Sequence, residues 1–122
     1  MCSPENEIPI GKTGMPETSW SQCAIVGQKG SENGVTIRDE EHTLGARITL
    51  ERETGIAPFA ITCGIHGWMV HTRFFETGSE ADLQFDLMKA DLSRLLQTLN
   101  QTNSVDHRSL YESVEAFVKK FP

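Results

Sequence analysis

Cys63, His66 and His71 form the one cluster in this sequence whose types and spacing approach a reactive set. A thiolate and two imidazoles are zinc ligands, and a cysteine beside a histidine is the pairing of a thiol nucleophile with its base. Either chemistry needs the side chains to converge, and the surrounding stretch, PFAITCGIHGWMVHTRFF over residues 58–75, reads as a β-hairpin that keeps them apart. A two-residue turn at His66 and Gly67 pairs Ile65 with Trp68, Cys63 with Val70, Ile61 with Thr72 and Phe59 with Phe74, all on one apolar face. Cys63 then points into a core as an inert thiol, His71 points away from it, and His66 sits at the tip. No metal, cofactor or catalytic residue is expected from this cluster.

The opposite face collects a second group. Alternation of the strand over 44–52, LGARITLER, places Leu44, Ala46, Ile48 and Leu50 on the apolar side and Arg47, Thr49 and Glu51 on the other. Joined to the outward residues of the hairpin, this gives a mixed surface of Arg47, Glu51, Thr62, Met69, His71 and Arg73, the expected ligand- or partner-binding residues. A histidine near a carboxylate and two guanidinium groups could bind an anion or move a proton.

Positioning these residues takes a sheet and a cover. Trp20 to Gly27 and Val35 to Arg38 read as two further strands, separated by the turn-forming QKGSENG, and Asp39 to His42 as a polar turn. The apolar side of the resulting meander is expected to carry Leu44, Ile48, Leu50, Phe59, Ile61, Val70 and Phe74. After Glu76 the period changes. Ser79 with Asp82 resembles a capping box, and Phe85, Met88, Leu92, Leu95 and Leu99 recur at helical spacing, the stripe widened by Leu83, Leu87 and Leu96. A second amphipathic helix follows a break near Asn103, with Leu110, Val114, Phe117, Val118 and Phe121 as its apolar stripe. The fold class is therefore α+β: an antiparallel meander of four or five strands with two C-terminal helices packed on one face. Residues 1–18, with three of the five prolines and few apolar side chains, read as a flexible arm before a single domain over 19–122.

Size and charge narrow the function classes. With 122 residues, the chain is long enough for one real core. Eleven Lys and Arg against 17 Asp and Glu give a formal charge of −6, which disfavours a nucleic-acid or anionic-membrane surface. No apolar run has membrane-spanning length, and residues 1–19 lack the apolar core of a signal peptide, so the default address is the cytoplasm. Three widely spaced cysteines fit reduced thiols. The expectation is a small, acidic, non-catalytic interaction or ligand-binding module that forms a homodimer through its open sheet face. The competing class is a small enzyme with a site at the dimer interface or on the outer sheet face, using His71 as acid or base.

Overall fold

The structure, a computed structural model, describes residues 20–23, 26–101 and 107–122. The arm expected over 1–18 lies outside the described residues. The chain forms a five-stranded antiparallel sheet in the order β1-β2-β3-β4-β5, with β1 Trp20–Gln22, β2 Val35–His42, β3 Ala46–Arg52, β4 Phe59–Ile65 and β5 Met69–Phe75. Two helices follow, α1 Gly78–Gln101 and α2 His107–Lys120. The α+β meander with both helices on one face is as expected.

Strict alternation makes β3 and β4 the centre of the sheet. Ile48, Leu50, Ile61 and Cys63 are buried toward the helices, where Phe85, Met88 and Leu92 of α1 are also fully buried. Complete burial of one such side chain is worth about 1.5–3 kcal/mol, so this layer supplies most of the cohesion between helix and sheet. α2 adds Leu110, Val114 and Phe117, and Phe121 just beyond it closes the core against Phe117. Lys120 binds Asp91 at 2.7 Å, tying the end of α2 to α1. Leu83 and Leu87, expected in the apolar stripe, are exposed on the back of α1, because the stripe facing the sheet is narrower than the leucine spacing suggests. The N-cap is Thr77, whose Oγ1 accepts the Glu80 amide, rather than Ser79.

Two strands depart from expectation. Asp39 to His42 are part of β2, not a turn, and a bulge at Ile37 between Thr36 and Arg38 resets their facing. Their charges are carried inside a strand because partners from elsewhere meet them. Arg38 reaches Asp82 and Asp86 of α1, Lys89 reaches Glu40, and Arg47 reaches Asp39.

The second departure is the hairpin. Its loop has three residues, closed by the Trp68 amide on the Ile65 carbonyl at 2.8 Å, with Gly67 at φ 84° in the position a type II turn reserves for glycine. Ile65 therefore pairs with Met69, Cys63 with His71, Ile61 with Arg73 and Phe59 with Phe75. A one-residue change of register inverts every side chain of a strand. Met69, His71, Arg73 and Phe75 consequently face the helices, and Val70, Thr72 and Phe74 face outward. Val70 and Phe74, expected in the core, are 79% and 42% exposed, and Leu44 is exposed in the β2–β3 turn.

Cys23 is disulfide-bonded, where a reduced thiol was expected; Cys63 is free and buried. No helix among the described residues is long and apolar enough to cross a membrane.

Candidate functional site on the outer sheet face

The register divides the six expected site residues into two groups. Arg47, Glu51 and Thr62 remain together on the outer face; Met69, His71 and Arg73 lie on the helix side. There Nε2 of His71 is 2.5 Å from the Phe121 carbonyl oxygen. A carbonyl only accepts, so the ring proton sits on Nε2 and is already engaged. Arg73 donates from Nε to the Pro122 carbonyl at 3.1 Å and from Nη1 to Gln84 at 2.8 Å, with its guanidinium against the rings of Phe75 and Phe121. Both side chains hold the end of α2 against the edge strand. Beside them, burial pushes the Cys63 thiol up to about 12 against the opposing pull of Arg73, so the sulfur stays protonated and unreactive at neutral pH.

The outer face is ordered in rows across the strands. Glu41, Arg47, Gly64 and Val70 form the first row, Asp39, Thr49, Thr62 and Thr72 the second, and Thr36, Glu51, Ala60 and Phe74 the third. In the first two rows, Arg47 grips the fully buried Asp39 with a fork, Nε to Oδ1 at 2.9 Å and Nη2 to Oδ2 at 2.8 Å. That bond, opposed by partial burial, raises the Arg47 pKa above its ordinary value. The Thr62 and Thr72 hydroxyls lie 3.2 Å apart, and the Thr49 hydroxyl donates to the Thr62 carbonyl.

In the third row the side chain of Glu51 is also fully buried, and its cover is the loop from Gly27 to Gly34. The Glu51 carboxylate accepts the amides of Gly34 at 3.0 Å and Glu32 at 3.1 Å. These alternate amides cradle the carboxylate with backbone alone, while the Asn33 amide between them donates to the Gly30 carbonyl. Gly30 lies so close that a Cβ there would stand 2.4 Å from the Glu51 carboxyl carbon. Glu51 is thus a latch that holds the loop down on the sheet.

The latched loop turns a flat face into a groove. A cavity of about 350 Å³ opens between Lys29, Gly30 and Ser31 of the loop and Arg47, Thr49, Thr62 and Gly64 of the sheet. It meets a wider hollow of about 990 Å³ that runs over Arg47, Gly64 and Val70 to Leu44 and Trp68. Lys29, Asp39 and Thr72 were missed as site residues. The seven-residue turn reads as a plain connection, Asp39 as a turn residue, and Thr72 as a core position. Among the described residues no group of three or more His, Cys, Asp or Glu side chains is placed to hold a metal ion. No family model, curated protein or solved structure matches the chain.

Proposed function

We propose that this protein is a non-catalytic binding module whose working surface is the outer sheet face. One observation carries the reading: both helices cover the other face, while this one is left open and is shaped into a groove by a loop that Glu51 fastens. Concave, pre-formed sites lined by a few convergent polar groups are where small ligands bind. The acid–base histidine of the enzyme reading is turned to the helix side and bonded to Phe121, which favours binding over catalysis.

A homodimer is the second part of the proposal, supported by β5. This strand has no neighbour on its outer edge among the described residues, and it carries the exposed Val70 and Phe74 on the open face. A free, apolar edge strand is a template for pairing. Two β5 strands meeting antiparallel about Thr72 bring Val70 of one copy opposite Phe74 of the other, joining two sheets into one.

Light scattering and native mass spectrometry of the full chain test this. The wild type is expected to be a dimer and Phe74→Lys a monomer with unchanged circular dichroism. A wild type that remains monomeric at about 100 µM, where even a micromolar dimer is formed, removes the dimer from the proposal.

A further inference from the structure

Deepening the binding-module reading, and resting on it, the chemistry along the groove names a ligand class. At one end are cationic and hydroxyl groups. Lys29 is exposed and makes no ion pair among the described residues, and Ser31, Thr36, Thr49 and Thr62 line the same cavity. Arg47 spends Nε and one Nη2 proton on Asp39, and Nη1 makes no hydrogen bond among the described residues. Because Asp39 holds the guanidinium plane, the remaining donors are fixed in direction before anything binds. The other end is apolar, with Leu44 and Val70 beside the wider hollow. Gly64 joins the two. It pairs with Arg47 on one side and Val70 on the other, and with no side chain of its own it leaves the floor between them low.

We propose that this trough binds an amphipathic monocarboxylate, its carboxylate between Lys29 and Arg47 and its apolar body lying over Gly64 and Val70 toward Leu44. The charge balance selects a monoanion over a phosphate. Asp39 neutralises Arg47, whereas the amides that hold Glu51 carry no net charge; among the described residues Lys29 is thus the cation at the cavity without an ion-pair partner, and the carboxylates of Glu41 and Glu51 repel a second negative charge. From Arg47 to Val70 the trough crosses two strand spacings, about 10 Å, which an extended chain of about eight carbons spans.

Amide NMR titration of the full chain with octanoate tests this, with octanol and inorganic phosphate as comparison probes. Saturable shifts at Lys29, Arg47, Gly64 and Val70 are expected with octanoate, and binding about tenfold or more weaker with each comparison probe, a difference of about 1.4 kcal/mol. Lys29→Ala is expected to weaken octanoate about tenfold, since a charge-assisted contact is lost without touching the fold. Val70→Asp, at an exposed position, is expected to abolish it. Octanol or phosphate binding as well as octanoate overturns the proposal, as does the absence of saturable shifts at about 10 mM. Shifts of the same amides that depend on protein concentration alone, with no response to octanoate, overturn the ligand class and leave the outer face standing as a binding surface.

Discussion

The two faces of this sheet bury side chains by opposite means. On the helix side, Phe85, Met88 and Leu92 are packed against Ile48, Leu50 and Ile61 with no polar partner required. On the outer side, Asp39 and Glu51 are as completely buried, yet each is held by directed bonds, one to a guanidinium and one to backbone amides. Apolar packing tolerates small shifts and is indifferent to pH, whereas a buried carboxylate depends on each of its partners. The inner face therefore contributes stability through packing alone, and the outer face through paired carboxylates that also shape its groove.

The comparison is tested most severely by truncating one side chain on each face. Phe85→Ala is expected to destabilise by about 3–5 kcal/mol, through lost transfer energy and the cavity left behind. Arg47→Ala is expected to cost about 3 kcal/mol, because it strands the buried Asp39. The two losses differ in how they are repaired. Adding Asp39→Val to Arg47→Ala is expected to recover a large part of the stability in urea unfolding, since the orphaned charge is gone; no second substitution on the outer face is expected to repair Phe85→Ala. Simple additivity of the Arg47 and Asp39 substitutions would show that the pair is not coupled.

A smaller effect, with a more local readout, separates stability from shape. Glu51→Ala removes the acceptor of the Glu32 and Gly34 amides, a loss of about 2 kcal/mol for charge-assisted bonds. Hydrogen exchange is expected to accelerate at those amides and at Gly30, whose amide closes the same loop onto the Gly34 carbonyl, while exchange in β3 and β4 changes little. Uniform acceleration over the whole sheet would mean that Glu51 supports the fold at large rather than the loop.

The same contrast explains what was legible in the sequence. The β3 alternation and the helical period of Phe85, Met88 and Leu92 are local patterns, and the inner face follows from them directly. The face of β5 was not legible. A two-residue and a three-residue turn both accept Gly67, and the polarity pattern, with Val70, Thr72 and Phe74 as the apolar set against Met69, His71 and Arg73, points to the face the strand does not bury. Long-range partners decide between them: the Phe121 and Pro122 carbonyls for His71 and Arg73, and the core for Phe75. The strand character of Asp39 to His42 was hidden for the same reason, since the partners that let those charges enter a strand lie up to 49 residues away in sequence. Glu51 was placed on its correct face, but nothing local to it announces the amides that bury it.

The least costly way to sharpen the contrast between the faces is pH, and His42 provides it. This side chain ends β2 on the helix side, buried, with its ring edge-on to Trp20 and its Nδ1 accepting the Leu44 amide at 3.0 Å. Burial holds its pKa below the usual histidine value. The unfolded chain therefore takes up the proton first. Stability is fully present above the unfolded pKa of about 6.5 and falls as the pH drops from there toward the folded value, below which the loss is complete. Protonation at Nδ1 also displaces the Leu44 amide, so the β2–β3 turn at the Leu44 end of the groove is expected to loosen before the sheet does. Urea midpoints measured between pH 7.5 and 5.5 are expected to decline in the wild type by less than the Glu51→Ala loss and to flatten in His42→Phe, which keeps the ring against Trp20 and cannot titrate. An equal decline in the two proteins would assign the acid sensitivity to other groups and leave the helix side as indifferent to pH as its packing suggests.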